Sequence, residues 1–187
     1  VTGSIATNAA SATIHGCMID NGSRHNVLMI VEINPLAVLV LDLAVWVLGG
    51  IAIGWLHAVM PVERLQAPGP FTRLRRAEAG GHIHRRWFRV HRWKDLVPDA
   101  GTWFGGLSKR RLPARLEGGW RRFAAESLRA ERVHFSMIGL MLPLAVWNPP
   151  RWWVANLALS VVGNLPCIVI ARHNRARVDA LSARRAA

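Results

Sequence analysis

Four ionisable side chains crowd the stretch Glu126-Ser127-Leu128-Arg129-Ala130-Glu131-Arg132-Val133-His134, immediately ahead of an apolar segment. On a helix turning about 100° per residue, Glu126 stands at 0°, Arg129 at about −60°, His134 at about 80° and Glu131 at about 140°. The four share roughly half of the helix surface, and Glu131 and His134 are direct i,i+3 neighbours. Ionisable groups cost too much near lipid to be kept there without partners or a purpose. A histidine beside a carboxylate has the makings of a general base, which a hydroxyl nucleophile needs at neutral pH. Arg129 and Glu126 read either as a structural ion pair or as a place for an anionic group. The plainer alternative is an interfacial helix whose polar residues face water and headgroups. The residues by themselves leave both readings open.

Other chemistry is thinner. Glu131-x-x-His134 is half of a di-iron bundle site, but that site needs a second such pair and further carboxylates, and only Glu126 is to hand. His82-x-His84 with His91 lacks the spaced cysteines or acids of a metal site, so no metal is expected. His91-Arg92-Trp93-Lys94-Asp95 has a His-x-x-x-Asp spacing found in some acyltransferases, too short to count as a motif. Arg172, Arg175 and Arg177 are suited to gripping phosphates of a coenzyme or a lipid headgroup, or to serving as an ordinary positive anchor. Asn164-Leu165-Pro166 interrupts the apolar run before them, and such breaks are tolerated where backbone lines protein or a cavity. Cys167 reads as a small buried hydrophobe.

The elements that must carry these groups follow from hydropathy. The 187 residues combine a formal charge of +13 with 51% apolar residues and a positive mean hydropathy of +0.19. Basic nucleic-acid binders are seldom so apolar, so charge and hydrophobicity belong to different segments and no nucleic-acid partner is expected. Nine Trp and no Tyr fit aromatics at a membrane boundary. Residues 1–34 read as a disordered tail or a start-site artefact, with Met29 a candidate start. Residues 35–60 carry only Asp42 and His57 as ionisable groups and are long enough to span a bilayer, with Pro35 suited to a first helical turn. Residues 62–122 are basic, punctuated by Gly and Pro, and interleave Trp87, Phe88 and Trp93 with Arg and Lys. They read as a segment along the headgroups or as a solvated cytoplasmic loop. Segments 135–147, with Pro143 as a kink, and 152–171 supply two further spans.

The expected fold is therefore all-α: a small helical integral membrane protein with about three transmembrane helices and a basic interfacial or cytoplasmic segment between the first and second. One membrane domain covers 35–180, followed by a basic tail at 181–187. Every Lys and Arg except Arg24 and Arg151 lies between residues 61 and 133 or after residue 171. Three spans with the amino end outside put those charges in the cytoplasm of a multi-pass protein.

Trp87-Phe88, Trp93-Lys94-Asp95 with Gly101, Glu126-x-x-Arg129-Ala130-Glu131-x-x-His134, Asn164-x-Pro166 and Arg172-x-Asn174-Arg175-x-Arg177 occur in one order. Together they resemble the glycosyl-4,4'-diaponeurosporenoate acyltransferase family, the membrane enzymes that finish staphyloxanthin-type carotenoids. The chain departs from the family pattern at Ala171-Arg172-His173-Asn174 and at Phe135, which leaves every candidate catalytic group in place. The resemblance implies transfer of a fatty acyl chain to a sugar hydroxyl of a carotenoid glycoside at the bacterial cell membrane. It implies acyl-CoA or acyl carrier protein as donor substrate, no bound cofactor, and the lipid bilayer as surroundings. Other carotenoid-pathway enzymes are further candidate partners. On this reading His134 is the base, Glu131 orients it, and Glu126 and Arg129 complete the catalytic group. Arg129, or Arg172 and Arg175, meet donor phosphates or the oxyanion, and Trp93, Lys94, Asn164, Asn174 and Arg177 join the substrate-binding set. Acyl transfer to another glycolipid and a non-catalytic scaffold of the pigment pathway are the alternatives.

Overall fold

The structure, a computed structural model, describes residues 34–65, 67–98 and 119–186, and all regular structure among them is helical. Helix α1 (Pro35–Ala58) begins as its sequence demands. Asn34 caps it by accepting the Leu36 N–H at 2.9 Å, and Pro35 occupies the first turn, where a missing N–H costs nothing. Five residues, Val45–Gly49, widen into a π-turn within it. Its most apolar window is only 6% buried, and Leu36, Leu39, Leu43 and Leu48 are all more than 60% exposed, so α1 is not the core helix of a soluble protein.

Short turns follow: 3-10 helices at Val62–Leu65 and Arg76–Gly81, then α2 (His82–Arg86) and α3 (Val90–Trp93). Gly80 and Gly81 adopt positive φ (67° and 71°) and reverse the chain between the 3-10 helix and α2. Helix α4 (Gly119–Gly139) is amphipathic, burying Phe123, Ser127, Leu128 and Glu131 on one face. A 3-10 helix, Leu142–Val146, follows, and then α5 (Pro150–Ala186). The core lies between α4 and α5, where Leu128, Met141, Leu144, Ile168, Ile170 and Ala176 are buried.

Two helices are long and apolar enough to cross a membrane, Pro35–Ala58 and Pro150–Arg185, which fits a small helical membrane protein. The expected middle span, 135–147, is not one helix of that kind: α4 stops at Gly139, and Pro143, which lacks an N–H to continue an α-helix, sits in the 3-10 turn. Helix α5 also outruns the expected span at 152–171, because its Arg- and Ala-rich end is a strong helix former with Ala176 and Val178 buried.

Cross-helix bonds fix the register. Ser160 donates to Met137 O at 3.2 Å, Trp153 to Met141 O at 3.0 Å, and Arg185 lies over the Trp120 ring at 4.1 Å, so α4 and α5 run antiparallel. Gly49 and Gly50 let α1 approach α4: a Cβ on Gly49 would stand 2.6 Å from Leu140 Cδ2, and one on Gly50 3.2 Å from Met137 Cε. At the far end, buried Asp42 accepts from Trp147 Nε1 (2.8 Å), Asn148 Nδ2 (2.8 Å) and Asn156 Nδ2 (3.1 Å). Trp46 Nε1 closes the group on Asn156 Oδ1 at 3.0 Å. A carboxylate among apolar helices is tolerable only when so supplied with donors.

Candidate active site

Between α4 and α5, His134 Nδ1 meets Asn164 Oδ1 at 2.7 Å. The Asn164 amide nitrogen donates to Ser160 O at 2.8 Å and lies 3.3 Å from Ser160 Oγ. A carbonyl can only accept, so the nitrogen side of the amide is fixed and Oδ1 faces the imidazole. His134 therefore carries its proton on Nδ1, and Nε2 holds the basic lone pair. Ser160 is fully buried and held by Met137 O, so the support beneath Asn164 is rigid. Pro166, inside α5, has no N–H to donate back to Val162 O.

Towards the charged end of the helices, Glu131 is fully buried and takes one guanidinium on each carboxylate oxygen: Arg172 Nη1 on Oε1 at 2.5 Å and Arg175 Nη1 on Oε2. Arg172 also grips Glu78 through Nε (2.7 Å) and Nη2 (2.6 Å), and donates to Phe71 O and Arg73 O. All five of its N–H donors are thereby used. Arg175 adds Thr72 O at 2.8 Å. The result is a latch that pins residues 71–78 against α4 and α5. Burial pushes the Glu131 carboxyl up, against Arg175 and Arg172, which lower it. Burial also opposes ionisation of Glu78, but the bonds from Arg172 and the Arg75 N–H outweigh it and leave that carboxyl below its ordinary value. His84, buried beside Glu78 (3.4 Å) and the His173 ring (centroids 5.9 Å), is lowered by burial, with Glu78 raising it and Arg172 lowering it further.

The remaining expected residues divide plainly. Arg129 Nη1 lies 2.8 and 2.7 Å from the two carboxylate oxygens of Glu126, and Arg129 Nη2 caps the end of the first helix segment at Met60 O (3.1 Å). Arg132 ties down the next turn through Arg64 O and Ala67 O. Asn174 is buried and Arg177 exposed. Trp93 Nε1 closes its own turn on Phe88 O at 2.7 Å, and Lys94 pairs with Asp95 at 3.2 Å. Gly101 lies outside the described residues. The expectation that Glu131 orients His134 meets a different arrangement: the carboxylate is committed to two arginines, and the partner at Nδ1 is Asn164. Likewise Arg172, expected to meet donor phosphates, has no N–H left for them.

Sequence reading missed Glu78, Thr72, Ser160 and the Asp42 group. Glu78 offered a signal, an isolated acid after Arg73, Arg75 and Arg76. Asp42 offered another, as the one carboxylate within residues 35–60. Ser160 gave none, since a serine one turn before an asparagine is unremarkable in any helix. Among the described residues no group of three or more His, Cys, Asp or Glu could hold a metal ion.

Similarity to known proteins covers this same architecture. Glycosyl-4,4'-diaponeurosporenoate acyltransferases of Staphylococcus aureus strains bovine RF122 / ET3-1 and USA300 are each 27% identical over 107 residues, 56% of this chain and 63% of theirs. The match thus spans under two thirds of the length of these relatives. No solved structure matches. A family model described as glycosyl-4,4'-diaponeurosporenoate acyltransferase matches residues 69–184, from the loop held by the latch to the last turns of α5. With both the Glu78–Arg172–Glu131–Arg175 latch and the His134–Asn164 pair inside that match, the chain belongs to the glycosyl-4,4'-diaponeurosporenoate acyltransferase family.

Proposed function

We propose that the chain is a membrane acyltransferase that esterifies a sugar hydroxyl of a carotenoid glycoside with a fatty acyl chain, with His134 as general base. The observation that carries this is the Asn164 amide at 2.7 Å from His134 Nδ1, turned by its own bond to Ser160 O. A base must present a lone pair, and fixing the proton on Nδ1 keeps Nε2 in the accepting form. In the reaction the hydroxyl proton passes to Nε2 as the sugar oxygen attacks the thioester carbonyl. The tetrahedral intermediate then collapses, the C–S bond breaks, and the imidazolium returns its proton to the departing sulfur. Asn164 acts as a positioning residue, and Glu131, Arg172 and Arg175 hold the surrounding helices in place.

The bilayer setting rests on the register. Arg129 bonds Met60 O at one end of the first helix, and Trp147 bonds Asp42 near the other. Sixteen residues of helix, from Asp42 to Ala58, lie between those two levels, about 24 Å. The chain from Arg129 to Trp147 must climb that same distance, which supports a third crossing through residues 135–147 despite its break. Positive residues then gather in the cytoplasm. Asn164 stands eight residues before Arg172, so the reacting centre is about 12 Å along the helix from the latch, deeper than the headgroup plane.

The test is pigment mass analysis in a bacterium already making a carotenoid glucoside. The expected result is a new species heavier by one fatty acyl group, lost in His134→Ala with membrane expression unchanged. Acylated pigment at the same level in that variant would remove His134 from the mechanism. Good expression with no acylated pigment at all would end the carotenoid reading.

A further inference from the structure

We infer that the cleft lined by His82, Arg85, Arg86, Trp87 and His91 binds the phosphorylated nucleotide end of a coenzyme A donor. This rests on the acyl-transfer reading and adds to it the donor class and its docking place. The cleft is a shallow one of about 490 Å³ whose lining mixes these polar side chains with Ala77 and Ile83. Its cations are uncommitted to acids: Arg85 and Arg86 form no ion pair with a carboxylate among the described residues, in contrast to the saturated Arg172. Helix α2 divides its side chains accordingly. His84 turns inward, with its side chain 4% exposed against His173, while His82, Arg85 and Arg86 face out. Trp87 is 76% exposed at the edge of the cleft, a flat ring beside a cluster of cations. Phosphates suit the guanidiniums, and a purine suits the indole face.

Reach supports the same donor. Helix α2, which carries the cleft, packs on His173 through His84, and His173 stands nine residues beyond Asn164 on α5, about 14 Å along the helix. A reactive carbonyl must be carried inward that far by something thin and uncharged, away from the phosphates. A pantetheine arm, comparable to about five extended residues or ~17 Å, spans that gap. An acidic carrier protein brings one phosphodiester and no purine, which would leave Trp87 without a task.

The experiment is titration of the full chain, in nanodiscs of zwitterionic lipid, with adenosine 3',5'-bisphosphate and, separately, inorganic pyrophosphate. The expected result is saturable binding of the bisphosphate, weakened about tenfold or more in Arg85→Gln/Arg86→Gln. Trp87→Ala should weaken the nucleotide but leave pyrophosphate as it was, and circular dichroism of both variants should match the original chain. Absent binding in the original chain, or affinities unchanged in both variants, overturns the proposal. Pyrophosphate binding as tightly as the nucleotide with no effect of Trp87→Ala removes the coenzyme assignment. So does binding of a phosphopantetheinylated acidic carrier protein, or of anionic-lipid vesicles, in place of the nucleotide. Because His134→Ala should bind the bisphosphate normally, failure of the acyl-transfer reading and failure of this one give different results.

Discussion

At His134 the decisive neighbour is an amide rather than a carboxylate, and the difference has a measurable sign. Asn164 fixes the tautomer without adding a charge beside the ring. Asn164→Asp keeps an acceptor at Nδ1 but introduces a negative charge, which favours imidazolium. The acid limb of the pH dependence of kcat/KM should move to higher pH while activity survives. Asn164→Leu should lower kcat by about 10²-fold or more, within the range of general-base contributions. An unmoved limb in the Asp variant would detach Asn164 from the base. Residue spacing could nominate both His134 and Asn164, because an imidazole and an amide in apolar surroundings stand out. It could not pair them, since they stand 30 positions apart and the chain between them includes a helix break whose geometry no local pattern encodes. The same limit explains why Glu131 was assigned to its sequence neighbour: i,i+3 proximity on α4 is legible, whereas the pull of two arginines from α5 is not.

Among elements, the latch makes residues 71–78 depend on helices far away in the chain. Glu131→Gln should destabilise the protein by about 3 kcal/mol or more, because it leaves two guanidiniums facing a neutral group. Thermal unfolding in nanodiscs checks this, and an unchanged midpoint would mean the latch contributes nothing. Acid acts on the same element with opposed signs: the raised Glu131 carboxyl favours the fold as pH falls, while His84 and Glu78 loosen it. His84 is neutral and depressed in the fold, so the unfolded segment binds the extra proton and stability falls as pH drops below the ordinary imidazole value near 6.5. Glu78 is also depressed, so its contribution holds above the ordinary carboxylate value and disappears as pH falls through its lowered one. Hydrogen-exchange protection in residues 71–86, corrected for the intrinsic fall of exchange rate with pH, should drop from pH 7 towards pH 5, and less so in His84→Phe. The start and apolar course of helix α1 were readable because apolar length and a proline in the first turn are local signals. Its π-turn was not, since Val45-Trp46-Val47-Leu48-Gly49 differs in no obvious way from ordinary helix.

For the whole molecule, charge and hydropathy made the fold class legible, and the register refines what they left coarse. The proposed middle crossing has a short apolar run, 135–147, interrupted by the end of α4 at Gly139 and by Pro143, because α4 carries polar residues as far as His134. The family match begins at residue 69, so α1, tied in through Asp42 and the Gly49–Gly50 approach, lies outside it. Orientation is checked with native cysteines replaced by serine. Asn34→Cys should be labelled by an impermeant maleimide in intact cells, and Arg177→Cys only when the inner face is opened; the reverse pattern would invert the topology. The latch also imposes an order in time. Glu78, Glu131 and Arg172 are bonded across separations of 94 and 41 residues, so both acids leave the ribosome well before the arginine that neutralises them. A nascent chain paused after Asn148 has neither Arg172 to secure its loop nor Asn164 to set its imidazole. Until translation delivers α5, the two carboxylates are left for insertion machinery and proteases to inspect. The His134–Asn164 pair forms only once the last helix is made.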